Sequence, residues 1–242
     1  MSKVVTTTLL PDVAGGTVTL GGTGDSVVAT GNDIRTNVLQ DAGGNAVFTS
    51  NGSGVMSGMN SAFAGALNLL STQTASNAAS VSFTTGIDST YDVYIFKFVD
   101  VNPASDGAEF QWQANAVGAS GFNETITSTY YLARHTEDGN TTTGPAYDPG
   151  NDQDQGTAYQ YIAQGVGSEA DESAVGELFL FNPSSTTYVK QFYSTSAMTQ
   201  SGTQAAHDFS GGYINTTAAI DEISFKFSTG NLDAVIKMYG LG

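Results

Sequence analysis

Phe110-Gln111-Trp112-Gln113-Ala114-Asn115 places an apolar side chain at every second position and an amide at each one between. A period of two means a β-strand with one dry face and one wet face. Upstream, Tyr91-Asp92-Val93-Tyr94-Ile95-Phe96-Lys97-Phe98-Val99-Asp100-Val101 is apolar at both parities, with Lys97 the misfit. Such a run suits a central strand covered on both sides. The same logic marks Val81–Phe83, Thr129–His135, Ala158–Ala163, Glu177–Phe181, Tyr188–Thr195, Ile223–Phe227 and Ala234–Tyr239 as strands. Asn-Pro at 102–103 and 182–183, and Gly-rich links elsewhere, close the runs. Eight or nine strands without a long helix predict an all-β fold, an antiparallel β-sandwich of jelly-roll-like form. Its core is expected to hold Phe96, Phe98, Phe110, Trp112, Phe179, Phe181, Phe225 and Phe227.

Residues 61–79 support two readings. Phe63, Leu67 and Leu70 recur at i, i+4, i+7 behind Asn60 or Ser61 as an N-cap, which favours a short helix. Leu67, Leu69 and Ser71 also alternate with Asn68 and Leu70, and Ser71-Thr72-Gln73-Thr74-Ala75-Ser76 suits a strand.

Residues 1–60 differ from the rest. Phe48 is their only large aromatic, and Gly, Thr, Ser and Asn punctuate short apolar runs such as Val18-Thr19-Leu20, Val27-Val28, Val38-Leu39, Ala46-Val47-Phe48 and Val55-Met56. Glycine pairs at 15–16, 21–22 and 43–44 fit tight turns between strands of three to five residues. Little apolar surface is available here to offset an ordering entropy of about 1–2 kcal/mol per residue. The chain is therefore divided into an N-terminal assembly or attachment segment, 1–60, and a β-sandwich domain, 61–242. The segment is expected to order against neighbouring copies or another protein.

Composition excludes several classes of function. Seven basic against 23 acidic side chains give a net charge of −16. Nucleic acid needs clustered Lys and Arg to release counterions, so it is not an expected partner; anionic membrane is disfavoured for the same reason. No apolar run approaches the ~18 residues of a spanning helix, and Met1–Gly16 lacks the apolar stretch of a secretory signal. The absence of Cys excludes disulfides, thiolate metal sites and cysteine nucleophiles.

Several separated motifs resemble a known group. Leu69-Leu70-Ser71-Thr72-Gln73-Thr74-Ala75-Ser76, Val81-Ser82-Phe83-Thr84 and Ile87-Asp88-Ser89-Thr90-Tyr91-Asp92-Val93-Tyr94 look like the opening of a β domain in structural proteins of tailed bacteriophages, marine ones especially. Asn123-Glu124-Thr125, Phe181-Asn182-Pro183-Ser184-Ser185 and Ile236-Lys237-Met238-Tyr239-Gly240-Leu241 extend the resemblance over roughly residues 65–242. Leu39-Gln40-Asp41-Ala42-Gly43-Gly44-Asn45-Ala46 and Ser50-Asn51-Gly52-Ser53-Gly54 look like turn-rich repeats of phage fibre and tail proteins. The resemblance implies a virion component, often fibre-like, made in the host cytoplasm, with no enzyme activity and no catalytic residues to carry over.

Catalytic motifs are weak. Neither His135 nor His207 lies near a nucleophile elbow, and no Gly-x-Ser-x-Gly occurs. Glu109, Glu124, Glu137, Glu177 and Glu222 supply carboxylates for a glycosidase in number only, and Trp112, the single tryptophan, is placed in the core by its strand pattern. One segment stands out. From Glu137 to Glu177 the chain carries nine acidic residues and no Lys or Arg. Residues 136–156 read as a long loop, favoured as solvated. A bound Ca²⁺ would take Asp148, Asp152 and Asp154 as ligands, although the spacing departs from the EF-hand pattern. No other cofactor is expected. The reading with most support is a non-enzymatic phage fibre or adhesin that meets a host surface glycan or protein. It would associate with other virion proteins and as a homo-oligomer, a trimer being favoured. The rivals are a capsid decoration protein and a glycan-cleaving spike enzyme.

Overall fold

The computed structural model describes residues 38–40, 46–50, 56–57, 66–140, 142–202 and 204–242. Val18-Thr19-Leu20, Val27-Val28, the glycine pairs and the helix start at Asn60–Ser61 with Phe63 lie outside them. The chain divides into two compact units, Met1–Asn60 and Ser61–Gly242. The first contains the antiparallel strands β1 (Val38–Gln40), β2 (Ala46–Ser50) and β3 (Met56–Ser57), in that spatial order, with Val38 and Leu39 exposed.

The second unit is all-β and antiparallel. Its strands are β4 (Leu67–Ala78), β5 (Val81–Phe83), β6 (Val93–Pro103), β7 (Ala108–Ala116), β8 (Ile126–Thr136), β9 (Thr142–Tyr147), β10 (Gln160–Val166), β11 (Ala174–Phe181), β12 (Lys190–Gln200), β13 (Gln204–Ile214), β14 (Ile220–Phe227) and β15 (Leu232–Leu241). Eight form one layer in the order β4-β15-β6-β11-β12-β13-β8-β9; four form the other, β10-β7-β14-β5. The layers join at one pair, Val166 of β10 with Gln200 of β12. Aromatic contacts bind them face to face: Phe96 and Phe98 of β6 lie 5.4 and 5.3 Å from Phe225 of β14, and Trp112 of β7 lies 4.8 Å from Phe192 of β12. The expected antiparallel sandwich is thus the observed fold, with twelve strands among the described residues of this unit.

One open choice is decided for the strand reading, and two local expectations change. Leu67–Ala78 is a strand, with Leu67, Leu69 and Leu70 exposed on the edge of the large layer. The helical spacing of its leucines reflects no buried helix face. Phe179 and Phe181 lie on the outer face of β11, because Leu178 and Leu180 take the inward parity. The four-residue run Leu178-Phe179-Leu180-Phe181, apolar at both parities, cannot reveal which parity points in. The segment 136–156 is not one free loop: its residues Thr142–Tyr147 form β9, which pairs with β8 from His135–Thr142 to Tyr131–Tyr147, and residues 148–156 lead on toward β10.

The wet face of β7 is also covered. The Gln113 side chain is fully buried, and its Nε2 donates to the carbonyls of Glu124, Thr157 and Ala158 at 3.0, 3.2 and 3.0 Å. One amide thereby clamps the connections before β8 and before β10 over the small layer. Its two N–H groups are shared among the three carbonyls, and Gln113→Ala removes both. At roughly 1 kcal/mol per N–H, the expected loss is about 2 kcal/mol, read as a lowered midpoint in urea unfolding.

Toward β13 and β8 the interior turns polar. Ser194 and Ser210 hydroxyls lie 2.7 Å apart, Ser196 Oγ donates to the Ile162 carbonyl at 2.7 Å, and Ser128 Oγ donates to Gln160 Oε1 at 2.5 Å. Asp208 is fully buried; its Oδ2 accepts the Tyr130 hydroxyl at 2.5 Å and the Gln164 N–H at 2.7 Å, and Oδ1 has no partner. Desolvation raises the Asp208 pKa above the ordinary 3.8, against smaller opposing effects from the Tyr130 and Gln164 hydrogen bonds and from the charges of Arg134 and His207. A raised folded-state pKa means that the folded protein binds the proton more tightly than the unfolded chain. Ionising Asp208 therefore costs stability as pH rises from about 3.8 through the folded pKa. Asp208→Asn removes that limb. The stability of wild type relative to the variant should fall across this window and level off above it; a pH-independent difference would overturn the assignment.

Candidate functional site

The outer face of the large layer is built by strand register. Residues directly opposite in adjacent antiparallel strands point to the same side. One row therefore runs Lys237, Lys97, Glu177, Thr195, Phe209, Tyr131, Tyr147 across β15, β6, β11, β12, β13, β8 and β9. The next row places Phe179, Tyr193 and Gly211 together. Tyr193, Phe209, Tyr131 and Tyr147 are exposed, at 44, 42, 44 and 51%. The rings meet in clusters: Phe179–Tyr193 stacked at 4.5 Å, Phe181–Tyr193 at 5.7 Å, Tyr131–Tyr147 at 5.6 Å and His207–Phe209 at 4.3 Å. The Thr195 Oγ1–His207 Nε2 contact at 2.9 Å lies among them, and the Lys97–Glu177 ion pair at 2.8 Å borders them on β6 and β11. Aromatic rings interleaved with hydroxyls and one ion pair have the composition of a contact surface.

The sequence-predicted carboxylates are occupied separately. Asp148 accepts the Gly150 N–H and the Asn151 side-chain amide, each at 3.0 Å. Asp152 accepts the Tyr147 hydroxyl, and this bond leads the effects that hold the Tyr147 pKa above its ordinary value. Asp154 is exposed. Among the described residues no three His, Cys, Asp or Glu side chains gather as a metal-binding group. Of the glutamates, Glu177 pairs with Lys97, Glu109 accepts the Ser228 hydroxyl, Glu124 accepts the Ala116 N–H at 3.0 Å and Glu222 accepts the Asn115 amide at 3.1 Å; Glu137 is exposed in the β8–β9 turn. His135 is exposed at the end of β8, and Trp112 is fully buried.

The acidic connection after β9 does shape a cavity. Residues 148–159 fold over the small layer's outer face, where Tyr161, Gln111 and Lys226 form a register row across β10, β7 and β14. The resulting space of about 360 Å³ is lined by Gln111, Asn151, Asp152, Tyr159, Tyr161 and Lys226 among others. Lys226 Nζ sits 4.2 Å from the Tyr159 ring centroid. Burial holds the Tyr161 pKa above its ordinary value, with Glu109 adding to the rise and a Gln111 hydrogen bond opposing it. Gln111 and Gln113 were legible as a wet face, but nothing in their spacing shows that a loop closes over them to leave a cavity.

No family model, curated protein or solved structure matches the chain.

Proposed function

We propose that the chain is a non-enzymatic structural component of a tailed-phage particle, of fibre or adhesin type, whose sandwich is displayed outward to meet the host surface. The observation that carries this reading is the exposed aromatic and hydroxyl face of the large layer. Such a surface suits association, since tyrosines supply contact area with few rotatable bonds. Two further points support it. The candidate acids Glu109, Glu124, Glu177 and Glu222 are each taken up by a structural partner, and the sequence motifs of residues 65–242 resemble phage virion proteins. Residues 1–60 would then serve assembly with other virion proteins or further copies, threefold symmetry being favoured.

Tyr193→Ser with Phe209→Ser removes two exposed rings without entering the core. The expected result is an unchanged melting temperature and lost attachment to host cells. Attachment at the wild-type level would overturn the reading. A capsid decoration role is the second reading, favoured by the separate N-terminal unit with Val38 and Leu39 exposed on β1; many copies per particle, rather than few, would select it. Turnover of host polysaccharide would reject both in favour of a spike enzyme.

A further inference from the structure

We propose that the cavity beneath the β9–β10 connection is a binding site for a neutral sugar ring, separate from the aromatic face of the large layer. Its volume of about 360 Å³ sits at the small end of the ~300–1,000 Å³ typical of ligand pockets, which limits the occupant to a small molecule or one unit of a chain. The lining is mixed in the way a sugar requires. Each sugar hydroxyl both donates and accepts, so amides, a carboxylate and an ammonium side by side can satisfy it. Gln111 and Asn151 supply amides, Asp152 a carboxylate, Tyr161 a hydroxyl and Lys226 an ammonium. The Tyr161 ring adds flat apolar surface to which the C–H face of a sugar can be matched, one face of Tyr159 being taken by Lys226.

Charge narrows the class. The cavity lining holds one Lys and one Asp, Lys226 and Asp152, within a chain of net charge −16. A phosphate or polyanion would need more positive charge than this, and the Lys disfavours a bare metal cation. A neutral polyol meets neither objection. Lys226 against the Tyr159 ring also fixes that wall, since a cation over an aromatic face is attracted by its quadrupole.

The wall is held in place before any ligand arrives. Gln153 N–H donates to Ser128 Oγ at 2.9 Å, the Ser128 N–H donates to the Gln153 carbonyl at 3.0 Å, and Gln160 Nε2 donates to the Asn151 carbonyl at 3.1 Å. Gly156 pairs with Ile126 through two backbone bonds, at 2.8 and 3.0 Å. A connection tied at three residues, Asn151, Gln153 and Gly156, loses little further freedom on binding, which favours a built site over an incidental gap.

The test uses the full chain with glucose, galactose, mannose and N-acetylglucosamine as probes, and glucuronate as the charged comparison, read by saturation-transfer NMR and titration calorimetry. At least one neutral sugar should bind with a Kd in the millimolar range, and Tyr161→Ala and Asp152→Asn should each weaken it at least tenfold. Asp152→Asn is nearly isosteric, so an unchanged melting temperature will separate lost binding from lost folding. No binding by any neutral sugar, equal binding by both variants, or binding of glucuronate alone would each overturn the proposal. Tyr193→Ser with Phe209→Ser should leave sugar binding unchanged. Failure here therefore leaves the contact face standing, and lost attachment in that variant leaves the cavity standing.

Discussion

Trp112→Ala is expected to lower the stability of the sandwich by about 3–5 kcal/mol, the usual cost of truncating a buried large aromatic. The side chain is fully buried and meets Phe192 edge-on at 4.8 Å across the two layers. Removing it leaves a void bounded by strands that cannot collapse inward, because β7 is paired on both sides, with β10 and β14. The indole Nε1 has no hydrogen-bond partner. Trp112→Phe should therefore cost much less, since it fills most of the space and removes a donor whose burial is itself unfavourable. Urea unfolding followed by circular dichroism is the measurement, because the single tryptophan fluorophore is the residue changed. A midpoint unchanged by Trp112→Ala would place this side chain outside the core.

Gly212→Ala should be comparably severe, and its neighbour supplies the control. A Cβ at Gly212 would lie 2.7 Å from Ser128 Cα and closer still to the Thr127 carbonyl oxygen. Both are backbone atoms of β8, which pairs with β13 at every position from Gln204–Thr136 to Ile214–Ile126. Relief requires the two strands to part locally, so roughly 3 kcal/mol is expected, the upper range for overpacking. A Cβ at Gly211 meets nothing nearer than 3.6 Å. Gly211→Ala should thus stay within ~0.5 kcal/mol of wild type, as surface substitutions usually do. Equal effects of the two substitutions on thermal melting would refute this account of the glycine pair.

The same pair explains why β13 escaped detection. Gln204-Ala205-Ala206-His207-Asp208-Phe209-Ser210-Gly211-Gly212 reads as a polar link with a glycine turn. Its inward positions are Ala206, Asp208 and Ser210, and its large apolar residue, Phe209, faces solvent. Hydrophobic periodicity is inverted there because the interior it meets is polar, made of Tyr130, Ser194 and the Gln164 backbone. Single-strand patterns carry no information about whether the opposite wall is apolar. The acidic segment misled for a related reason: Thr142–Tyr147 has no alternation, and it is a strand because β8 offers an unpaired edge.

Local sequence alone determined the all-β class, the strands with clear alternation and the burial of Phe110, Trp112, Phe225 and Phe227. In those strands one parity is plainly apolar, and burying it is worth roughly 25 cal/mol per Å² whatever the partner; in β6, apolar at both parities, Phe96 and Phe98 turn inward as expected but Val99 is left exposed. Tertiary structure decided the outward turn of Phe179 and Phe181, the polar seam around Asp208, and the closing of residues 148–159 over Gln111, Tyr161 and Lys226. Each of these depends on residues distant in sequence: Tyr193 beside Phe179, Tyr130 beside Asp208, Ser128 beside Gln153. Register between strands, set by the whole ladder rather than by any one segment, brings such residues together.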